Sequence, residues 1–496
     1  MKNNCFMCID IGTTAVKAGI FDAAGNTIGL GSSEYTLETP ATDIVELDCA
    51  VYYKAVQDAV KKAFAAGDLP KERVKSCTVT GQVETLILLD ENDNELRKAI
   101  VWLDNRGRIE AEELMQLFGS EKLWRISGQT EILPCFPAPK IMHIKKHEPE
   151  VFSKCSKYMM VEDYITYKLT GKFVSCSGLW PSSVFYNIVT HCWEKEILDS
   201  LGIDICQLPE LVPPGSVLAQ CSENNGLLEP GTLLVGAPLD HAVGALGAGC
   251  GLSDGIVSET IGCTMAICAP GDGVMYDEQK KLSTYEGFAV GQTVLLPWAP
   301  AAGMLLKYFR DNFGEGLDYR DLDRLAETVP PGSDGLLMLP HVAGAFSPEM
   351  APDAAGCVYG ITLQHTRGHW VRAIMESVAY LLRDNLEALK SAGCKIKSVR
   401  ALGGASYSKL WMQILSDVLN LPLAKPESAE TTALGGAILA AVAAGEFGSL
   451  SEASQAMCRT AGEVFPKPEN SVIYEEKFRR YRRLNELMLN NLGGIK

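Results

Sequence analysis

The residue best placed for acid–base chemistry is Asp240, because it follows a predicted buried strand, 233–235, and precedes a segment rich in small residues. Gly244, Gly247 and Gly249 are spaced so that another backbone can approach this segment closely. A carboxylate at the end of a strand, beside a closely packed helix, suits a general base. The same position also suits an aspartate that only caps the helix, and this alternative stays open.

A turn near the start of the chain has the composition of a phosphate-binding turn between two strands. Gly12 lets the backbone approach a ligand, and the amides and hydroxyls of Thr13 and Thr14 are expected to face that ligand. Asp10, at the end of the first strand, is expected to hold Mg²⁺ through water. Lys17 is close enough in sequence to reach a terminal phosphoryl group.

The segment 256–269 repeats this arrangement of strand, glycine turn with hydroxyl, and strand, which indicates an internal duplication. A predicted helix starts at 302–303, and an amide-rich helix N-terminus suits a nucleotide phosphate. The segment 399–408 predicts a strand, a double-glycine turn and a helix start, a geometry in which a nucleotide can lie against backbone. The sequence therefore predicts two similar halves that each contribute a phosphate turn to one cleft.

Polar residues between apolar strands indicate a pocket for sugar hydroxyls. Gln82 and Glu84 lie in such a place, although a solvated hairpin face is the open alternative. Trp102 can pack on the C–H face of a sugar, whereas Asp104 and Arg106 are also spaced to pair only with each other.

Composition restricts the classes of function. A chain of 496 residues, 47% hydrophobic and 21% charged, is typical of a well-packed globular protein with two or three domains. The net charge of −16 argues against a general nucleic-acid or anionic-membrane binder. We find no secretory signal pattern, and the most apolar tract, 433–445, is too short to cross a bilayer. The sixteen scattered cysteines, including the lone C-x-x-C of Cys5 and Cys8, indicate free thiols and a cytoplasmic location.

Five motifs, in the same order along the chain, resemble those of the FGGY family of carbohydrate kinases. They are Asp-Ile-Gly-Thr-Thr at 10–14, Trp-x-Asp-x-Arg at 102–106, Pro-Leu-Asp-His-Ala-Val-Gly-Ala at 238–245, Gly-Gly-Ala-Ser at 403–406 and Glu-Thr-Thr-Ala-Leu-Gly-Gly-Ala at 430–437. The resemblance implies an α/β fold of two actin-like (ribonuclease H-like) ATPase domains with an interdomain cleft. We expect the N-terminal domain to cover 1–250 and the C-terminal domain 251–496.

The resemblance also implies ATP and Mg²⁺ as cofactors and a small sugar or polyol as the partner, with neither nucleic acid nor a membrane; a homodimer stays open. Asp240 is the implied base for the acceptor hydroxyl, Asp10 the implied organiser of Mg²⁺, and Gln82, Glu84 and Trp102 the implied lining of the acceptor pocket around Asp240. The implied phosphate and nucleotide contacts are Gly12, Thr13, Thr14, Lys17, Gly262, Cys263, Thr264, Gly303, Lys307, Gly403, Gly404 and Ser408.

Departures from the family patterns bear on the substrate. The segment 82–85 reads Gln-Val-Glu-Thr, where xylulokinases usually have Gln-Met-His-Gly and glycerol kinases Gln-Arg-Glu-Thr, so Val83 lacks the arginine that grips glycerol. Cys263 and Lys307 stand where threonine and glutamine are common, which leaves their roles open. We expect a ketopentose kinase, with another polyol, a tetritol, gluconate or another ketose as alternatives. A non-catalytic actin-like ATP-binding protein is the alternative of a different class.

Overall fold

The computed structural model describes residues 4–251 and 255–490, and the strands and helices below belong to these ranges. In the first range the elements are β1 (Cys5–Ile11), β2 (Ala15–Asp22), β3 (Thr27–Glu34), β4 (Glu38–Ala41), β5 (Ile44–Leu47), α1 (Cys49–Gly67), β6 (Val74–Gly81), β7 (Leu86–Leu89), β8 (Ala99–Ile100), α2 (Arg108–Phe118), α3 (Ser120–Ser127), α4 (Pro137–His147), α5 (Pro149–Lys154), β9 (Lys157–Met160), α6 (Val161–Thr170), β10 (Val174–Cys176), β11 (Tyr186–Asn187), β12 (Cys192–Trp193), α7 (Lys195–Leu201), β13 (Glu210–Val212), β14 (Val217–Gln220), β15 (Leu233–Gly236) and α8 (Asp240–Gly247). In the second they are β16 (Ile256–Ile261), β17 (Met265–Asp272), β18 (Thr284–Glu286), β19 (Gln292–Leu295), β20 (Trp298–Ala299), α9 (Gly303–Phe313), α10 (Tyr319–Glu327), β21 (Leu337–Leu339), β22 (Cys357–Tyr359), α11 (Arg367–Ser391), β23 (Ser398–Leu402), α12 (Lys409–Leu419), β24 (Leu423–Pro426), α13 (Thr431–Ala443), α14 (Leu450–Met457), β25 (Thr460–Val464) and α15 (Pro468–Asn490).

The chain opens with a three-stranded meander, as its alternating apolar residues and turns predict. β1, β2 and β3 pair antiparallel, and Asp10 lies opposite Lys17 in the first pair. In the turn before β3, the carboxylate of Asp22 accepts the N–H groups of Ala24 and Asn26, each at 2.9 Å. This local capping explains why the chain reverses there.

The first large sheet has the strand order β14-β15-β6-β1-β2-β3. β1 is parallel to β6, with Asp10 opposite Thr80, and β6 is parallel to β15. Because the carboxyl ends of parallel strands meet at one edge of a sheet, the segments that follow β1, β6 and β15 lie together. These segments contain the first glycine turn, then Gln82 with Glu84, and then Asp240.

The second large sheet, of order β18-β19-β17-β16-β23-β24-β25, repeats this pattern of pairing. β16 is antiparallel to β17 and parallel to β23, which in turn is parallel to β24. The run β17-β16-β23-β24 therefore has the same strand directions as β2-β1-β6-β15 in the first sheet. This repeated topology confirms the internal duplication that 256–269 predicts.

Two helices of small residues, α8 and α13, pack backbone to backbone. A Cβ atom on Gly247 would lie 1.9 Å from the carbonyl oxygen of Thr431, and one on Gly435 would lie 1.9 Å from the carbonyl oxygen of Val243. Both distances are far below van der Waals contact, so both positions need glycine. The close approach predicted for α8 is thus confirmed, and its partner comes from a segment nearly 200 residues later in the chain.

The sequence also predicts a helix that starts at 47–48, and α1 begins there, because the side chain of Asp48 accepts the N–H of Ala50 at 2.8 Å and so caps the helix. Its buried face, which includes Tyr52, Val56 and Val60, covers one side of the first sheet. Burying each apolar side chain of this size stabilises the fold by roughly 1.5–3 kcal/mol, and this layer holds β1 to β3 in place.

The segment around 80–85 joins two strands, as the sequence predicts, but these strands do not pair with each other. β6 belongs to the first large sheet, whereas β7 belongs to a separate sheet of order β4-β5-β8-β7-β9. The fully buried Lys140 of α4 lies beneath this junction, and its Nζ donates to the carbonyl oxygens of Glu84 at 2.8 Å and Val101 at 2.9 Å. The acceptor segment is therefore held from below by a buried ammonium group.

Part of two sequence predictions falls outside the described residues. The domain boundary expected at 250/251 adjoins 252–254. The sequence also predicts a C-terminal helix over 475–492, which runs past residue 490. That helix begins at Pro468, seven residues before the predicted start at Glu475. Within 4–251 and 255–490, no helix is both long and apolar enough to span a membrane.

Candidate active site

Asp240 is the first residue of α8 and lines a cavity of about 270 Å³ between the two large sheets. Thr260 and Gly403, from the second sheet and the turn after it, line the same cavity. Leu239, and not Asp240, is the residue that precedes the helix; Asp240 Oδ1 accepts the N–H of His241 at 2.6 Å. The carboxylate is therefore half-exposed toward the cleft, at the edge where the parallel strands end.

A second carboxylate, Asp10, lies within electrostatic reach of Asp240. The pKa of Asp10 is raised to about 7, chiefly by burial and then by the negative charge of Asp240, while Lys17 opposes the shift. A carboxylate whose ionisation is opposed by burial and by a neighbouring negative charge is a place where a divalent cation is favoured.

The first glycine turn is held by hydrogen bonds that leave its ligand-facing groups available. The N–H of Gly12 closes the turn on the carbonyl of Ala15 at 3.0 Å. The indole N–H of Trp102 donates to Thr13 Oγ1 at 3.0 Å, so the hydroxyl proton of Thr13 can still be donated to a phosphate. Thr14 is exposed beside it.

Both lysines predicted near the phosphates form ion pairs. Lys17 Nζ lies 2.7 Å from Glu430 Oε2, and Lys307 Nζ lies 2.6 Å from Asp311 Oδ2, one helical turn away on α9. The lysine side chains are 43% and 53% exposed, respectively, and ion pairs at such positions contribute only about 0–1 kcal/mol. A phosphate can therefore compete for either ammonium group.

The second glycine turn joins β16 to β17 and packs against the start of α9. The N–H of Gly303 donates to the carbonyl of Gly262 at 2.9 Å, and the N–H of Ala302 donates to the carbonyl of Cys263 at 2.9 Å. A Cβ atom on Gly303 would lie 2.3 Å from that Gly262 oxygen, so only glycine fits there. The side chains of Cys263 and Thr264 are exposed in the turn.

A cavity of about 540 Å³ opens beside this turn, large enough for an adenosine group. Gly403 has φ 76° and lines the cavity of Asp240, whereas Gly404 lines the larger cavity; a Cβ on Gly403 would lie 2.6 Å from the carbonyl oxygen of Ile261. Ser408 Oγ accepts the N–H of Trp411 at 3.0 Å, so this hydroxyl caps α12. Six predicted residues line the larger cavity: Gly262, Cys263, Gly303, Lys307, Gly404 and Ser408.

Other residues that line this cavity were not predicted from the sequence, among them Tyr319 and Asp323 of α10 and Trp411 of α12. The sequence of α10 lies apart from every recognisable motif and is typical of an ordinary polar surface helix, so it gave no signal. Trp411 lies a few residues after the double-glycine motif, and this closeness in sequence was a signal that could have identified it as a lining residue.

The predicted acceptor residues are buried, which excludes the solvated hairpin face. Gln82 and Glu84 are 6% and 8% exposed. Gln82 Nε2 donates to the hydroxyls of Tyr35 and Tyr52 at 3.1 Å each, and Gln82 Oε1 has no hydrogen-bond partner among the described residues. Glu84 has φ 71°, and burial raises the pKa of its carboxyl group against an opposing hydrogen bond from Ser182. Such strain and desolvation are typical of functional sites.

Glu162, at the start of α6, is an acceptor-side residue that the sequence reasoning missed. It is 1% exposed, and neither carboxylate oxygen has a hydrogen-bond partner within the described ranges. Burial raises the pKa of Glu162 well above its ordinary value, and the charges of Asp240 and Glu84 act in the same direction. In the sequence it looks like any acidic residue in the first turn of a helix, so no signal marked it.

Asp104 and Arg106 pair with each other, which was the alternative to a role of these residues in binding the sugar. Arg106 Nε donates to Asp104 Oδ1 at 2.8 Å, and Asp104 Oδ2 also accepts the N–H of Val45 at 2.7 Å. This buried network fixes the segment that carries Trp102, whose half-buried ring reaches the first glycine turn.

Comparisons with known proteins agree with this arrangement. Residues 5–247 match the model of the N-terminal domain of the FGGY family of carbohydrate kinases, and residues 273–444 match that of the C-terminal domain. A gluconokinase of Bacillus licheniformis is 30% identical over 498 residues, covering 97% of this chain and 94% of that protein. A xylulose kinase of Bacillus subtilis (strain 168) is 28% identical over 482 residues, covering 96% and 95%.

The fold is likewise similar to that of solved structures. The crystal structure of xylulose kinase from Rhodospirillum rubrum matches with a TM-score of 0.90 and 25% identity, covering 99% of this chain and 100% of that one. The α/β fold is thus that of two actin-like ATPase domains, and ATP binding is expected of such kinases. From the matching models and relatives, this chain belongs to the FGGY family of carbohydrate kinases.

Proposed function

We propose that this carbohydrate kinase transfers the γ-phosphoryl group of ATP to a hydroxyl of a neutral ketopentose, with Asp240 as the general base. The xylulose kinases among its relatives support a ketopentose, whereas the gluconokinases support a sugar acid as the second candidate. The observation that favours the neutral sugar is the acidic character of the acceptor pocket, where the charges of Asp240 and Glu84 act on Glu162 and where oxygens of Gln82 and Glu162 have no partner among the described residues.

These oxygens need hydrogen-bond donors, because a buried acceptor without a partner costs roughly 1–3 kcal/mol. A ketopentose brings several hydroxyl donors, and gluconate brings them as well, so the charge decides between the two. The carboxylate of gluconate brings only acceptors and a negative charge, close to Asp240 and Glu84. The charge of Lys140 opposes part of the negative charge at Glu84, but its protons are donated to backbone carbonyls and are not available to a sugar acid.

Asp240 suits the base because it is half-exposed at the edge of the cleft, where an acceptor hydroxyl and a phosphoryl group can meet. Proton removal by a positioned base typically accelerates such a reaction ~10²–10⁴-fold. In the transition state, negative charge is spread over the oxygens of the transferred phosphoryl group. The remaining acceleration therefore comes from alignment of the reactants and from stabilisation of that charge. We assign the contacts with that group to Thr13, Thr14 and Lys17 on one side and to Gly262, Cys263 and Thr264 on the other.

We assign Mg²⁺ to Asp10. The donor set fits a hard cation, because Asp10 is a carboxylate whose pKa is raised to about 7 chiefly by burial, with Asp240 adding to the shift. When bound, Mg²⁺ neutralises charge on the phosphates. The nucleotide itself is assigned to Gly12, Gly303, Lys307, Gly403, Gly404 and Ser408.

We also propose the division into an N-terminal domain, 1–250, and a C-terminal domain, 251–496, and a cytoplasmic location. The two repeated sheets support the division into two domains. The many cysteines support the cytoplasmic location, since no two described cysteines form a disulfide.

The proposal is tested by ADP release from ATP across a panel of acceptors: xylulose and other ketopentoses, gluconate, glycerol, a tetritol, and a blank without acceptor. We expect a ketopentose to give the highest kcat/KM and gluconate a value at least tenfold lower. A preference for gluconate would overturn the substrate assignment. ADP release that no acceptor stimulates would favour the non-catalytic ATP-binding protein instead.

A further inference from the structure

Outside the cleft, two helices bring together three side chains of the type that bind transition metals. Glu110 of α2 faces His143 and His147 of α4, and one ligand atom from each residue lies within 4.8 Å of the others. Glu110 Oε2 is 3.5 Å from His143 Nδ1, and Glu110 Oε1 is 3.9 Å from His147 Nε2. These separations are close to the spacing of ligand atoms around one ion.

Two buried atoms of this cluster indicate an unmet need for a ligand. The side chain of Glu110 is 2% exposed, yet its Oε2 has no hydrogen-bond partner among the described residues, and neither does His143 Nδ1. Buried carboxylates are almost always paired or bound to a metal. The two atoms without partners face each other, so one cation between them would satisfy both.

The sequence spacing suits coordination. Residues four apart on a helix lie on the same face, and the rings of His143 and His147 have centroids 4.3 Å apart. Two imidazoles four residues apart together with a carboxylate are ligands that Zn²⁺ accepts, whereas Mg²⁺ and Ca²⁺ prefer sites made wholly of oxygen. His147 is 59% exposed, which leaves an entry path and room for water as a fourth ligand.

One competing cation is present at the cluster. Lys146 Nζ lies 3.3 Å from Glu110 Oε1, but it also pairs with Glu113. A metal can therefore take Glu110 while Lys146 keeps Glu113 as its partner, and no charged group is left without compensation.

We propose that Glu110, His143 and His147 bind a transition-metal ion of the Zn²⁺ class and so join α2 to α4. The site is separate from the nucleotide cleft and from the Mg²⁺ assigned to Asp10. α4 also contains Lys140, one turn before His143, which holds the carbonyl of Glu84. The metal therefore stabilises the helix that supports the acceptor segment.

The full chain, freed of metal with a chelator, is titrated with Zn²⁺ and followed by calorimetry and thermal unfolding. We expect one equivalent to bind at this site and to raise the melting temperature by several degrees, and Mg²⁺ at the same concentration to leave it unchanged. His147→Gln changes an exposed side chain and is expected to fold; it should weaken Zn²⁺ binding more than ~100-fold, because even an outer-shell partner contributes roughly 10–100-fold.

His365→Gln is the matched control. His365 and His369 have the same spacing, but the Nδ1 atom of each already accepts a backbone N–H, from Thr362 and Thr366, at 3.1 Å. Co²⁺ spectra distinguish metal binding at this site from metal binding by cysteines. The proposed site has no thiolate, so it gives no thiolate-to-cobalt charge-transfer band. The proposal would be overturned if Zn²⁺ did not stabilise the unaltered chain. It would also be overturned if Zn²⁺ stabilised His147→Gln and Glu110→Gln as much as the unaltered chain.

Discussion

Lys17 and Glu430 form an ion pair, with Nζ 2.7 Å from Oε2, although they lie 413 residues apart in the chain. Lys17 is on β2 beside the first glycine turn, and Glu430 directly precedes α13. The packing of α13 on α8 through Gly435 and Gly247 is what brings the two charges together. The pair therefore holds the ammonium group of Lys17 near the carboxylate of Asp10, where its charge opposes the rise in the pKa of Asp10.

If Lys17 contacts a phosphate, Lys17→Met removes one charge-assisted hydrogen bond, which contributes about 1.5–3 kcal/mol. We expect kcat/KM for ATP to fall by roughly 10–150-fold. Steady-state kinetics at saturating sugar measures this change.

Glu430→Gln is the matched control, because it breaks the same ion pair while keeping the ammonium group. We expect kcat/KM for ATP to change less than about threefold. Equal losses in the two variants would mean that Lys17 serves only the ion pair.

Asp240→Asn keeps the shape of the proposed base but removes its basicity. We expect kcat to fall ~10²–10⁴-fold while the dissociation constant for ATP, measured by calorimetry, stays within a few-fold of the original. Asp272→Asn, at an exposed aspartate on β17, is the control and should leave both values unchanged. Near-normal turnover in Asp240→Asn would remove the base from the mechanism.

The placement of Asp10, Asp240 and the two glycine turns was predictable from sequence, because each depends on a local pattern of strand, turn and small residues. The location of Gln82 was predictable, but its environment was not, since β6 and β7 belong to different sheets. Glu162 carries no local signal at all. Its importance comes from long-range burial beside Tyr52 and Glu84, which only the assembled fold creates.

Glu162 should stabilise the bound sugar at the expense of the fold. Glu162→Leu removes two buried oxygens without partners, so we expect the free energy of unfolding to rise. The same change removes acceptors for sugar hydroxyls, so KM for the sugar should rise about tenfold while KM for ATP stays constant. Denaturant unfolding and kinetics measure the two effects, and a variant that loses stability without a change in KM would contradict this role.

Sugar binding should depend on pH through Glu84. Burial raises the pKa of this carboxyl group, so it takes up its proton nearer to neutral pH than an ordinary glutamate does. If the ionised form accepts a sugar hydroxyl, KM for the sugar should rise as the pH is lowered from 8 to 6. Glu84→Gln should show a higher KM at pH 8 and a flatter profile. Parallel profiles for the two proteins would assign the titration to another group.

Glu259 of β16 offers a test of buried charge away from the acceptor pocket. It is fully buried, neither oxygen has a partner among the described residues, and burial raises its pKa well above the ordinary value. A carboxyl group whose pKa is raised on folding stabilises the protein below the unfolded-state pKa, and this contribution is lost as the pH rises through the folded-state pKa. Each unit of that increase is worth about 1.4 kcal/mol.

Glu259→Gln removes the titration, so we expect the variant to gain stability over the original protein between pH 5 and pH 8 and to lose that advantage below about pH 4.5. Urea unfolding across this range measures the difference. Glu463→Gln, at an exposed glutamate on β25, is the control and should track the original protein at every pH. Because Gln fills the same space as Glu, a pH-independent difference between Glu259→Gln and the original protein would mean that packing, and not ionisation, sets the cost of this buried side chain.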